Sequence, residues 1–201
     1  MSRHLDKILA HAERELGFIA TDGMDGFDRP ISLLFPADAP LVDGTELTGA
    51  DLPLDSCINF KMCRDGLVYP TFYTTTDPVL VQKFGNAARA ARESVNGIYV
   101  IDRTEDFVIY DMRTLFEDVL ILPKLFRRIV SFVDTNSDFA ALPDYMKRNG
   151  DKVKLLPEMK KSTFDKLVEI NGRHLKMNVK QIGEHSLNSS HGGISRMPSS
   201  A

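Results

Sequence analysis

Apolar residues recur at helical spacing near the start of the chain. Leu5, Ile8, Leu9, Ala12 and Leu16 share one stripe, Ser2 suits the N-cap and Gly17 the position past the last turn, so a helix is predicted over 3–16. Residues 21–30, TDGMDGFDRP, read as a turn-rich loop. Asp22, Asp25 and Asp28 stand three apart, unlike the alternate-position ligands of an EF-hand loop, so a solvated turn is expected there rather than a calcium site. The apolar run 31–35 predicts a buried strand, and 36–56 a long loop punctuated by Pro36, Pro40, Gly44, Gly49 and Pro53.

The strongest local pattern is CINFKMCRDGLVYPTFYT, residues 57–74. Asp65-Gly66 between two strand-like runs fits a type I′ turn, which predicts a hairpin with Ile58, Phe60, Met62, Leu67, Tyr69 and Tyr73 on its core face. Cys57 and Cys63 then lie on the other face, about 20 Å apart at about 3.3 Å per residue, too far for a disulfide, as small half-buried residues. A helix over 78–95 follows, with Asp77 as N-cap, Pro78 at the first position, a stripe of Leu80, Phe84, Ala87, Ala88 and Ala91, and a stop at Asn96-Gly97. Strands are expected at 98–101 and 107–110. Asp111 then caps an amphipathic segment over 112–133, which Pro123 divides, leaving Lys124, Arg127 and Arg128 as an exposed basic group beside the break.

Beyond residue 134 the pattern predicts a short helix after Pro143. Two structures compete at Asn171-Gly172: a helix starting at Ser162-x-x-Asp165, or a type I′ hairpin; the reading favours the helix, followed by a strand over 175–179. The expected fold class is α+β: a mixed, largely antiparallel sheet of about five strands against amphipathic helices at 3–16, 78–95 and 112–133, with a basic, more helical C-terminal part. One domain over 1–182 is expected, with 134–143 as the place where it would subdivide, and a flexible polar tail over 183–201.

The composition, 43% hydrophobic and 26% charged over 201 residues, is that of an ordinary globular protein. The most apolar segment, 115–133, is interrupted by Glu117, Asp118, Lys124, Arg127 and Arg128, so no membrane span is expected. With no secretory signal and two cysteines, a cytoplasmic location is expected, and a non-classical export route stays open. Charge is uneven: residues 1–120 carry 11 Lys+Arg against 20 Asp+Glu, and residues 121–180 carry 13 against 7. Such asymmetry suits intramolecular attraction, head-to-tail self-association, or a basic face for an acidic partner.

Common nucleotide-binding, hydrolase and zinc signatures do not occur, and His4, His11, His174, His185 and His191 lack metal-ligand spacing to a cysteine, so no metal or cofactor is expected. Thr74, Thr75 and Thr76 precede a predicted helix N-terminus, where free N–H groups favour an anion. Asp77 competes for those donors as the cap, and this capping role is the stronger reading. The group Lys124, Arg127 and Arg128, with Lys147, Arg148, Lys152, Lys154, Lys160 and Lys161, is a candidate partner-binding patch. A pI near 6.0 and the lack of a nucleic-acid-binding signature argue against nucleic acid.

DGLVYPTFYTTTDPVLVQKFG followed by FVIYDMRTLFEDVLIL, within residues 65–122, resembles the amino-terminal domain of the SseB-like (enhanced serine sensitivity) bacterial family. Residues 98–106 and everything after Pro123 depart from that pattern. The resemblance implies a bacterial cytosolic regulatory or interaction protein with no catalytic residue to transfer. The reading from sequence is therefore a non-enzymatic protein of immunity, adaptor or regulator type that binds another protein or itself. The alternative is a small transferase or hydrolase on an anionic substrate, with Thr74–Thr76 as anion contacts and Cys57 or Cys63 as nucleophile.

Overall fold

The computed structural model describes residues 17–25, 28–73, 76–133, 138–155, 160–178 and 185–187. The helix predicted over 3–16 lies outside them. Strands β1 (Gly17–Met24) and β2 (Pro30–Pro36) form an antiparallel hairpin, so the predicted 21–30 loop begins only after residue 24. The period-2 alternation sends Phe18, Ala20, Leu33 and Phe35 to the core and turns the facing pair Ile19 and Leu34 outward.

The hairpin predicted over 57–74 is not formed. Residues Ile58–Arg64 are helix α1, and the spacing that matters is three: Cys57, Phe60 and Cys63 all face one core. Gly66 does take a positive φ, 70°, but uses it to end a helix. Leu67 N–H donates to the Met62 carbonyl (2.8 Å) and Gly66 N–H to that of Cys63 (3.1 Å), which is the Schellman pattern. Asp-Gly serves either ending, and burial of both cysteines decided for the helix.

Helix α2 (Pro78–Glu93) forms as predicted, with the Asp77 carboxylate accepting from Val79 N–H at 2.7 Å and Pro78 in the first turn. Its end repeats the Schellman hydrogen bonding, Asn96 N–H to Ala91 C=O at 2.9 Å, but with Val95 at φ 52° where glycine is usual. Gly97, at φ 58°, begins a 3₁₀ turn over Gly97–Val100, where the sequence pattern predicts a strand. Its backbone lies against Gly66: Ile98 N–H donates to the Gly66 carbonyl at 2.8 Å, and a Cβ on Gly97 would meet that oxygen at 2.3 Å.

The second half carries β3 (Asp106–Val108), shorter than the 107–110 strand expected, then a π-helical turn at Thr114–Asp118. Asp111 caps that turn, accepting from Thr114 N–H and Oγ1. Helix α3 (Pro123–Val133) starts at the predicted break, and α4 (Leu142–Asn149) is the predicted short helix, closed by Gly150 at φ 57°. Five strands follow: β4 (Lys152–Leu155), β5 (Lys160–Thr163), β6 (Val168–Asn171), β7 (His174–Met177) and β8 (His185–Leu187). They and β3 make two antiparallel three-stranded sheets, ordered β3-β7-β6 and β5-β4-β8. Strand β8 places three residues of the predicted tail against β4.

At Asn171-Gly172 the hairpin prevails over the favoured helix. Asn171 pairs with His174, so the turn is Gly172-Arg173, one residue later than a turn centred on Asn-Gly. Pairing of Phe107 with Leu175 and of Ile170 with Leu175 buries an alternating face that a helix would scatter. The fold class is thus α+β, with antiparallel strands in small separate sheets instead of one five-stranded sheet. Among the described residues no helix is long and apolar enough to cross a membrane.

One core cluster joins Phe35, Cys57, Cys63, Phe72, Phe84 and Ala88. Another joins Ile109, Leu115, Leu125, Phe132, Leu142, Phe164 and Leu175. A small third cluster of Ala91, Ile98 and Tyr99 packs against Tyr69 and Leu120.

A β-branched residue in the left-handed region is costly, and Val95 is 56% exposed with no packing role to lose. Val95→Gly should raise the unfolding free energy by about 1 kcal/mol in denaturant titration. Gly97→Ala, which drives a Cβ into the Gly66 carbonyl, should lower it by more than about 2 kcal/mol; equal stabilities for the two variants would contradict the contact described.

Candidate functional site

A cleft of about 1030 Å³ opens between the β1–β2 hairpin, the loop around Gly44–Leu52, and residues Val68–Tyr73, with Met62, Cys63, Leu80 and Phe84 of α1 and α2 in its lining. The long, proline-punctuated loop can reach across because Gly49 carries no side chain. Its N–H donates to Asp77 Oδ2 at 2.9 Å, and a Cβ there would meet that carboxylate at 2.7 Å. Asp51 braces the same turn by accepting from Thr48 N–H and Oγ1, which hold its carboxyl below the usual range. Asn59, on α1, reaches β2 and accepts from Leu34 N–H at 2.8 Å.

The lining is largely apolar, with the hydroxyls of Thr21, Ser32, Thr45, Thr71, Tyr73 and Thr76 interspersed. Among the described residues its carboxylates are Glu46 and Asp77, and no lysine, arginine or histidine lines it. Every lining residue also belongs to the acidic stretch 1–120. Such a surface suits apolar groups and cations and disfavours phosphates.

Of the predicted anion contacts, Thr74 and Thr75 lie outside the described residues. Thr76 lines the cleft, but its Oγ1 accepts from Tyr73 N–H at 2.9 Å. Asp77 spends both carboxylate oxygens on Val79 and Gly49 N–H groups, so the stronger reading from sequence, a helix cap, matches the geometry.

The basic group beside Pro123 is not an exposed patch. Lys124 is only 7% exposed, lies 5.6 Å over the Phe164 ring and 3.5 Å from Asp151, while Arg128 forks onto both Asp151 oxygens, one at 2.6 Å. Burial pushes the Asp151 carboxyl up, but the Arg128 hydrogen bond and the two positive charges outweigh it and hold it below the usual range. Burial likewise lowers Lys124 against the opposing pull of Asp151. Arg127 alone of the three stays exposed. The helical positions 124 and 128 point inward because Asp151, at the start of the β4–β5 sheet, supplies their counter-charge.

Tyr69 forms one end of the cleft. Its ring meets Tyr99 edge-on at 5.9 Å, and its hydroxyl is buried beside Asp102 and Thr104 without a hydrogen bond. Thr104 itself is satisfied, donating to Asp102 at 2.5 Å and accepting from Leu122 N–H at 2.8 Å. A hairpin over 57–74 would not form this cleft; the 57/60/63 spacing is the sequence signal for α1, and nothing local marks the loop residues Glu46 and Gly49. Among the described residues no group of three His, Cys, Asp or Glu is placed to hold a metal.

Both thiols are buried. Cys63 donates to the Phe84 carbonyl at 3.5 Å, and burial pushes it up to about 11; burial also raises Cys57, against weaker lowering by nearby backbone N–H groups. Native protein at pH 8 should therefore alkylate with iodoacetamide at least about 100-fold more slowly than protein in guanidinium. An acid raised in the fold contributes no pH dependence below its unfolded value. The Cys63 contribution should be constant below pH 9; stability should fall as pH rises from 9 towards 11, and fall less in Cys63→Ala. Rapid native labelling would contradict this burial.

Comparison with protein families, characterised proteins and solved structures finds no match to this chain.

Proposed function

We propose that this is a non-enzymatic interaction protein, of the bacterial regulator, adaptor or immunity type, which binds an apolar and basic segment of another protein in the cleft beside the β1–β2 hairpin. The observation that carries this reading is the lining: apolar walls, scattered hydroxyls, and, among the described residues, a charge made of Glu46 and Asp77. Glu46 is exposed and forms no ion pair with another described residue, so it is available to a partner's lysine or arginine. The resemblance of residues 65–122 to SseB-like proteins points to the same functional class.

An enzyme acting on a phosphorylated substrate is less well supported. The cleft carboxylates repel an anion, and the thiols proposed as nucleophiles are buried and protonated. Lys124 and Arg128 are occupied with Asp151, which leaves Arg127 as the exposed member of the three basic residues beside Pro123.

Selection of a random peptide library on the full-length protein should recover apolar sequences with net positive charge. Affinity of a synthetic selected peptide, measured by calorimetry, should fall at least about 10-fold in Thr71→Arg and about 2- to 5-fold in Glu46→Lys, while Arg127→Glu leaves it unchanged. Failure to recover binders, a preference for acidic or phosphorylated peptides, or loss in Arg127→Glu alone would overturn the assignment.

A further inference from the structure

The cleft has two sides, and each carries backbone groups without a hydrogen-bond partner among the described residues. On the hairpin side, Leu34 N–H points away from β1, since it donates to Asn59. Backbone groups alternate along a strand, and Leu34 and Ser32 face Ile19 and Thr21 in unbroken register. Ser32 therefore turns its N–H and C=O to the same outer edge of β2, the edge towards α1, and Ser32 lines the cleft. On the other side, no backbone N–H or C=O of Val68–Phe72 has a hydrogen-bond partner among the described residues. Pro70 fixes its own φ near −65° and confines Tyr69 to extended conformations, so this stretch is held close to strand geometry while remaining unpaired.

Unpaired backbone is the feature that a segment bearing only side-chain complementarity would leave unused. Phe72 is buried and Val68 and Tyr69 are half-buried, where a vacant N–H or C=O costs free energy unless something bonds it. A docked helix has its own backbone satisfied and offers these groups nothing. An extended segment offers donors and acceptors on both of its edges.

We infer that the partner segment enters as an extended strand between β2 and residues 68–72, bonding to the Ser32 edge on one side and to the Val68–Phe72 backbone on the other. This rests on the docking reading above and adds the mode of recognition. The strand's alternate side chains would face the apolar floor around Leu33, Met62 and Phe84, and a basic residue near one end would meet Glu46.

The probe is the tightest peptide from the library selection, synthesised unmodified and with backbone N-methylation at either its odd or its even positions. Full-length protein is titrated with each form by calorimetry. A strand seated between two edges needs both sets of N–H groups, so each methylated form should bind at least about 10-fold more weakly than the unmodified peptide. Ser32→Pro, which removes one edge donor where proline is tolerated, should weaken the unmodified peptide several-fold with an unchanged circular dichroism spectrum. Binding indifferent to N-methylation, or sensitive to one set only, would overturn insertion while leaving cleft docking intact. A peptide that binds Thr71→Arg as well as the natural protein would overturn both.

Discussion

The backbones of Gly66 and Gly97 touch, and the chain on either side of them is arranged by that contact. A side chain at either position would strike the other's neighbourhood: a Cβ on Gly66 would meet the Asn96 carbonyl at 2.6 Å, and one on Gly97 the Gly66 carbonyl at 2.3 Å. Both residues have positive φ, which glycine adopts without cost. The contact joins the end of α1 to the end of α2 and fixes the direction in which residues 67–73 depart. That departure forms one side of the cleft. Tyr69 against Tyr99 and Phe72 in the core then pin the segment through its side chains, leaving its backbone unpaired.

Electrostatics divides the molecule by use. In the basic stretch, Lys124 and Arg128 converge on Asp151, and Lys176 and His174 hold Asp106 on the β3–β7 edge, at 3.4 and 2.5 Å. His174 is the first cause of the lowered Asp106 carboxyl. Within residues 1–120, Arg92 lies 5.0 Å over Tyr99 and 3.7 Å from Asp102. Lys124 and Arg128 are thus taken up inside the fold, while Arg127, Lys147, Arg148, Lys152, Lys160 and Lys161 stay exposed, and the described lining of the cleft in the first half carries a negative balance. The proposed docking surface is the acidic, largely apolar cleft, whose described lining suits an apolar and basic segment.

Local rules read correctly where one residue determines the outcome. Asp77-Pro78 started α2, Pro123 split the amphipathic segment, and Asp111 capped the turn after it. They misread residues 57–74 because Asp-Gly ends a helix as readily as it turns a hairpin, and INFKMCR carries alternation and a three-residue stripe at once. Only the burial of Cys57 and Cys63 against Phe84 and its neighbours separates the two. The inward turn of Lys124 was equally hidden, since its partner Asp151 is distant in sequence. The cleft was least legible of all, for it depends on a loop, a hairpin and an unpaired segment that only tertiary contacts bring together.

The central claim is that Ser32, on the outer edge of β2, and residues 68–72 present unpaired backbone to one cleft. Residue-resolved amide hydrogen exchange on the unliganded full-length protein tests it directly. The amides of Ser32, Val68 and Thr71 should exchange at least about 10-fold faster than those of Leu34 and Ile98, which are bonded to Asn59 and Gly66. Protection of Ser32, Val68 and Thr71 equal to that of Leu34 and Ile98 would mean that the edges are already paired, and would contradict the account.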